Sequence, residues 1–207
     1  MHDFLLIVIF AVVFGVIFLI MREVEKQNRA KLEALSGLLE APQIKAFFGT
    51  VSLYGLYGGN PLRISLEPGS RRGNQAHLHF GSEDSGTHHH NRPPTLRVFL
   101  SKPLSADFII THDNPLFGLG KMVGLLKDLE TGDPVFDKEY LVQGKDRQAA
   151  LSYFSSEKLE AIKALEFTLL KLDKSGAQYS HDYYREEELE PEAMKATLER
   201  LEKLAYS

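Results

Sequence analysis

The feature that most limits what this chain can become is the run from Phe4 to Met21, FLLIVIFAVVFGVIFLIM, which holds no charged residue and one small break at Gly15. At 1.5 Å per residue, about 18 residues make a helix of roughly 27 Å, close to the ~30 Å hydrocarbon core of a bilayer. The run is apolar on every side. A core helix would show one apolar stripe instead. A cleaved signal peptide needs a basic leader, a shorter apolar stretch and a small-residue exit. Met1-His2-Asp3 and Ile20-Met21-Arg22-Glu23 supply neither end. Residues 1–21 are therefore expected to be an uncleaved anchor, with the lipid bilayer as partner through residues 4–21. Arg22, Lys26, Arg29 and Lys31 follow the run, and no Lys or Arg precedes it. The positive-inside rule then places the N-terminus outside and the remainder in the cytoplasm.

Residues 22–42 are charged, with Val24, Leu32, Leu35, Leu38 and Leu39 near helical spacing. This predicts an amphipathic stalk that ends at Pro42. Residues 43–207 are expected to form one soluble α+β domain, long enough to bury a core without disulfide staples. Phe47–Tyr57, Leu62–Leu66, Gln75–Phe80, Thr95–Leu100 and Asp107–Thr111 read as strands between Gly/Pro-rich turns. Such a succession implies a mostly antiparallel sheet. Phe136–Val142 reads as a further strand. Asp146 and Ser155 or Ser156 are expected to cap helices over Arg147–Phe154 and on to about Glu166. Phe167–Leu172 and Gln178–Tyr184 predict a hairpin around Lys174-Ser175-Gly176. After Pro191, the spacing of Met194, Leu198, Leu201 and Leu204 predicts a C-terminal helix.

A net charge of −4 argues against a nucleic-acid partner, which needs a basic face. With no cysteine, disulfides, thiolate metal sites and a cysteine nucleophile are excluded.

The segment Thr131-Gly132-Asp133-Pro134-Val135-Phe136-Asp137-Lys138-Glu139-Tyr140-Leu141-Val142, followed by Asp146 and Ala149-Ala150-Leu151, carries a Gly-Asp-x-x-Phe-Asp block. It resembles a block found in bacterial membrane-anchored proteins of unknown function. The resemblance covers about a fifth of the chain. It implies a bacterial membrane-associated domain and transfers no catalytic residue. Those proteins often carry more than one membrane helix, whereas the one apolar run here sets the expectation of a single pass in the bacterial inner membrane. Taken residue by residue, Gly132-Asp133-Pro134 predicts a turn. Phe136 and Tyr140 are expected to share the core face of a strand, with Asp137 bonded to neighbouring backbone.

Histidines form the most conspicuous chemical cluster. His77 and His79 fall on one face of an expected strand, and Glu83-Asp84 and His88-His89-His90 follow in a Gly/Ser-rich connection. Neutral imidazoles beside a carboxylate suit Zn²⁺ or Ni²⁺. The simpler reading is a polar outward face and a connection that contains histidines, since three consecutive histidines cannot all reach one ion. His112-Asp113-Asn114 suits a capping turn better than a general base, because adjacent residues rarely face each other. Gly118-Leu119-Gly120-Lys121-Met122-Val123-Gly124 fails the phosphate-loop template, for Met122 stands where Ser or Thr should hold magnesium. The surrounding Pro115–Leu126 segment is apolar and glycine-rich. Leu116, Phe117, Leu119, Met122 and Leu125 are either core or a contact surface. Glu186-Glu187-Glu188 suits the positive end of the helix that follows.

These features predict a membrane-tethered binding or scaffolding module with a protein partner at the membrane and no enzymatic role. Its contact surfaces would be the Pro115–Leu126 segment and the outer face of the sheet. The alternative is a metal-binding domain or metal-dependent enzyme built on His77, His79 and His88–His90. No cofactor is specified by the sequence.

Overall fold

The structure is a computed structural model, and it describes residues 2–47, 49–68, 94–105, 107–112, 129–144 and 146–205. Helix α1 spans His2–Ala34 without a break. Every large apolar side chain described between Ile9 and Ile20 is exposed, from 47% at Val13 to 68% at Phe14. Among the described residues, no helix is long and apolar enough to cross a membrane. The same helix ends differently. Leu32 and Leu35 have no exposed surface, and Leu39 beyond it is also buried. The stretch expected to be a stalk thus supplies core residues to the domain.

Among the described residues, eight strands make one antiparallel sheet: β1 (Glu40–Phe47), β2 (Thr50–Tyr57), β3 (Asn60–Glu67), β4 (Thr95–Leu100), β5 (Phe108–His112), β6 (Tyr140–Gly144), β7 (Leu169–Asp173) and β8 (Gly176–Asp182). Their order is β1-β2-β3-β4-β8-β7-β5-β6. The α+β class and antiparallel sheet agree with the sequence reading. Side chains alternate as a pleated sheet requires: Leu62, Ile64 and Leu66 are buried, and so are Leu96, Val98 and Leu100 on the neighbouring strand. These point to one shared core. Arg63 and Arg97 point the other way and are exposed.

Three expectations need correction. Pro42 does not end a helix: α1 stops at Ala34, a 3₁₀ turn covers Ser36–Leu38, and Pro42 lies within β1. An edge strand tolerates proline because one side of its ladder is unpaired. The pairing is irregular between Glu40 and Gln43, where Ala41 has φ 49°. The single strand expected over Phe47–Tyr57 is cut, because Gly49 at φ 79° turns the chain between β1 and β2. Phe136–Val142 begins as a helical turn, α2 (Phe136–Glu139), before β6. Gln75–Phe80 lies outside the described residues.

The other local signals agree with the structure. The Asp146 carboxylate accepts the N–H groups of Gln148 and Ala149 at 2.8 and 3.2 Å, starting α3 (Arg147–Tyr153). Ser155 caps α4 (Ser156–Lys163), which stops three residues short of the expected Glu166. Leu165 and Phe167 then turn into the core, each 3% exposed. In α5 (Pro191–Ala205), Met194, Leu198, Leu201 and Leu204 form a completely buried stripe. The end of α1 joins α3, α4 and α5 on the same side of the sheet.

Candidate functional site

With the described helices packed on one side, the opposite face of β1–β4 is left to polar and aromatic side chains. Lys45, Phe47, Thr50, Ser52, Tyr54, Arg63, Ser65 and Glu67 line a shallow depression of about 260 Å³ there. Its floor is short and its walls are long. The Ser52 and Ser65 hydroxyls sit face to face across β2 and β3, 2.9 Å apart and buried, so they satisfy each other. Lys45 Nζ stands 5.4 Å from the Tyr54 ring centre, and the Arg63 guanidinium 6.0 Å from that of Phe99. Both distances suit cation–π attraction. Glu67 pairs with Arg97 at 3.3 Å. The face therefore combines stacked cations, an ion pair and exposed aromatic rings. That composition suits contact with a partner surface better than enclosure of a small molecule.

A second cluster joins β8 to the entry of α5. His181 Nδ1 and Glu188 Oε2 are 2.7 Å apart, and ligand atoms of Glu166, His181 and Glu188 lie within 4.8 Å of one another. Arg185 already occupies the position of a counter-ion. Its guanidinium is 2.7 Å from Glu166 and 3.7 Å from Glu188, and its N–H donates to Glu188. A cation arriving here would have to displace that guanidinium. Tyr179 donates to the Glu166 carbonyl at 2.6 Å, and burial pushes its phenol pKa upward. Lys31 of α1 reaches Glu186 at 2.6 Å. The network fastens β8, the 3₁₀ turn over Glu186–Leu189 and α1 together. Glu188 was legible as an acidic residue near a helix start, but its pairing with His181 and Glu166 depends on strand register.

No family model, curated protein or solved structure matches this chain. The Gly-Asp-x-x-Phe-Asp block must therefore be understood from its own geometry. Asp137 accepts the Thr131 N–H at 2.9 Å, the Thr131 hydroxyl at 2.7 Å and the Gly132 N–H at 3.3 Å. Asp133 accepts the N–H groups of Val135 and Phe136 and pairs with Lys163 at 3.1 Å. The Phe136 N–H and then Lys163 hold the Asp133 carboxyl below the usual carboxylate range. Gly132 sits at φ 94°, a conformation that favours glycine. Phe136 is fully buried and stacks on Tyr140 at 4.5 Å. Both rings reach the core as expected, but Phe136 does so from the helical turn α2 and Tyr140 from the first residue of β6. Each named residue of the block holds the turn. Asp137→Ala strips acceptors from two backbone donors and a hydroxyl, and is expected to destabilise the domain by about 2 kcal/mol. Urea denaturation monitored by circular dichroism measures this, and an unchanged midpoint would refute the structural role.

His112 lies at the end of β5, its ring 4.8 Å from Tyr140 and 5.3 Å from Phe167. It belongs to an aromatic stack. Its sequence neighbours Asp113 and Asn114 lie outside the described residues. So do the proposed metal ligands His77, His79, His88, His89 and His90, and the proposed contact residues Leu116, Phe117, Leu119, Met122 and Leu125.

Proposed function

We propose that this protein is a membrane-tethered binding or scaffolding module of the bacterial inner membrane. The run Phe4–Met21 spans the bilayer, and the polar face of β1–β4 presents the contact surface to a protein partner on the cytoplasmic side. One observation carries this reading: α1 passes from an apolar stretch whose described large side chains between Ile9 and Ile20 are all exposed directly into the domain core at Leu32, with Leu35 just beyond its end. An exposed apolar helix surface of that extent needs an apolar environment. Because helix and core are continuous, the tether also orients the sheet and does not merely retain it. The open face then meets partners in a restricted direction, which raises effective concentration at the membrane.

The test is site-specific photocrosslinking in intact cells, with the photoreactive residue replacing Tyr54 or Arg63 in the full chain. Both sites are expected to yield one and the same adduct in the membrane fraction, while Lys174 in the β7–β8 turn yields none. A chain that fractionates with soluble protein, or gives no adduct at either face position, overturns the reading.

A further inference from the structure

The packing of α1 fixes which end of the sheet lies nearest to the apolar run. A methyl group placed on Gly49 would lie 3.6 Å from Met21 Cε and 3.3 Å from Pro68 Cγ. Met21 is the last residue of the apolar run, and Gly49 is the turn between β1 and β2. At the other end of β2, a methyl on Gly55 would meet Leu39 Cβ at 2.8 Å. From Met21 to its end at Ala34 α1 rises about 20 Å, and the chain advances about 20 Å from Gly49 to Gly55. The chain from Met21 through α1 to Leu39 therefore follows β2 from its start to its end. The β1–β2 turn is level with Met21, and the β2–β3 turn is at the far end.

Phe47, the last residue of β1, stands beside that near turn with 74% of its surface exposed. Lys45, two residues back on the same face, is exposed as well, and Arg22 follows Met21 on α1. A large apolar ring beside basic side chains, at the depth where a span ends, is the composition of a bilayer interface contact. Given the proposed anchor, on which this inference rests, we infer that the β1–β2 turn is a second membrane contact. In it the Phe47 ring is seated among the lipid glycerol and headgroup layer, and the Phe47–Thr50–Glu67 end of the depression opens at the membrane surface, with Tyr54 and Arg63 at the end away from it. The domain is thereby held upright by two points, the helix and the turn. The depression is then accessible only to a partner that approaches along the bilayer.

The chain has no tryptophan, so each of three variants carries a single indole. Phe47→Trp probes the turn, Val13→Trp the apolar run, and Lys174→Trp the β7–β8 turn. By the antiparallel register Lys174 lies at the end away from Met21. Each full-length variant is reconstituted into phosphatidylcholine/phosphatidylglycerol vesicles containing lipids brominated at shallow or deep acyl positions. Val13→Trp is expected to lose emission most to deep bromines. Phe47→Trp should lose it to shallow bromines and show a blue-shifted maximum, while Lys174→Trp stays unquenched. If Val13→Trp is quenched but Phe47→Trp behaves like Lys174→Trp, the turn contact is wrong and the anchor stands. If none is quenched, the anchor falls and the turn contact with it.

Discussion

A fragment restricted to residues 43–207 will fail to fold, whereas one that begins at Arg22 will unfold cooperatively. The boundary at 43 is the one the sequence suggests, because Pro42 follows a charged amphipathic segment. In the structure it removes Leu32, Leu35 and Leu39 from the core, and these are 0%, 0% and 8% exposed. Replacing even one buried leucine by alanine commonly costs about 2–5 kcal/mol, set against a total domain stability of about 5–15 kcal/mol. Losing all three whole side chains also removes the packing of α1 on β2, and the boundary cuts into β1. The loss matches or exceeds the stability available. Far-ultraviolet circular dichroism and urea titration of the two fragments decide the matter. Equal midpoints would mean that the end of α1 only lies against the sheet. The single substitution Leu35→Ala, in the longer fragment, should lower stability by about 3 kcal/mol.

Signals that act within a few residues were legible in the sequence. The Asp146 and Ser155 caps, the β7–β8 hairpin and the buried stripe of α5 all follow from chemistry between near neighbours. The segment from Arg22 to Leu39 was harder, since an amphipathic pattern shows that a face is covered without showing by what. Phe136–Val142 deceived because its apolar residues suit a strand. Asp133, which accepts the N–H groups of Val135 and Phe136, is what favours a helical turn there. The outer face of the sheet was foreseeable from alternation in β3 and β4. Its depression was not, because Lys45, Ser52 and Ser65 meet only through the registers of β1 on β2 and β2 on β3. The Glu166–His181–Glu188 network was invisible for the same reason.

Non-local register also explains why Gly176→Ala should be the most damaging single substitution among the described glycines. The sheet consists of the run β1-β2-β3-β4 and the run β8-β7-β5-β6, joined where β4 pairs with β8. Gly176 opens β8 beside the end of that seam, next to the Leu100↔Ala177 pair. A methyl group there would lie 2.0 Å from the Leu100 carbonyl oxygen and 3.0 Å from the Lys102 nitrogen, at a φ of 139°. The obstacle is backbone, so no rotamer change relieves it. Either the seam opens or the β7–β8 turn is rebuilt. The expected cost is above about 4 kcal/mol, in the range reserved for backbone strain combined with lost pairing. Gly59→Ala is the proper control, because Gly59 has φ 75° but no neighbouring atom within 4 Å of the added methyl. It isolates the penalty of a left-handed backbone, about 1–2 kcal/mol. Urea midpoints of the two variants compare the terms, and amide exchange at Val98 and Tyr179 reports whether the seam has opened. Similar losses in both variants would show that the turn absorbs the methyl by moving. A much larger loss in Gly176→Ala, with exchange raised at both amides, would show that the polar face on β1–β4 depends on its pairing with the C-terminal strands.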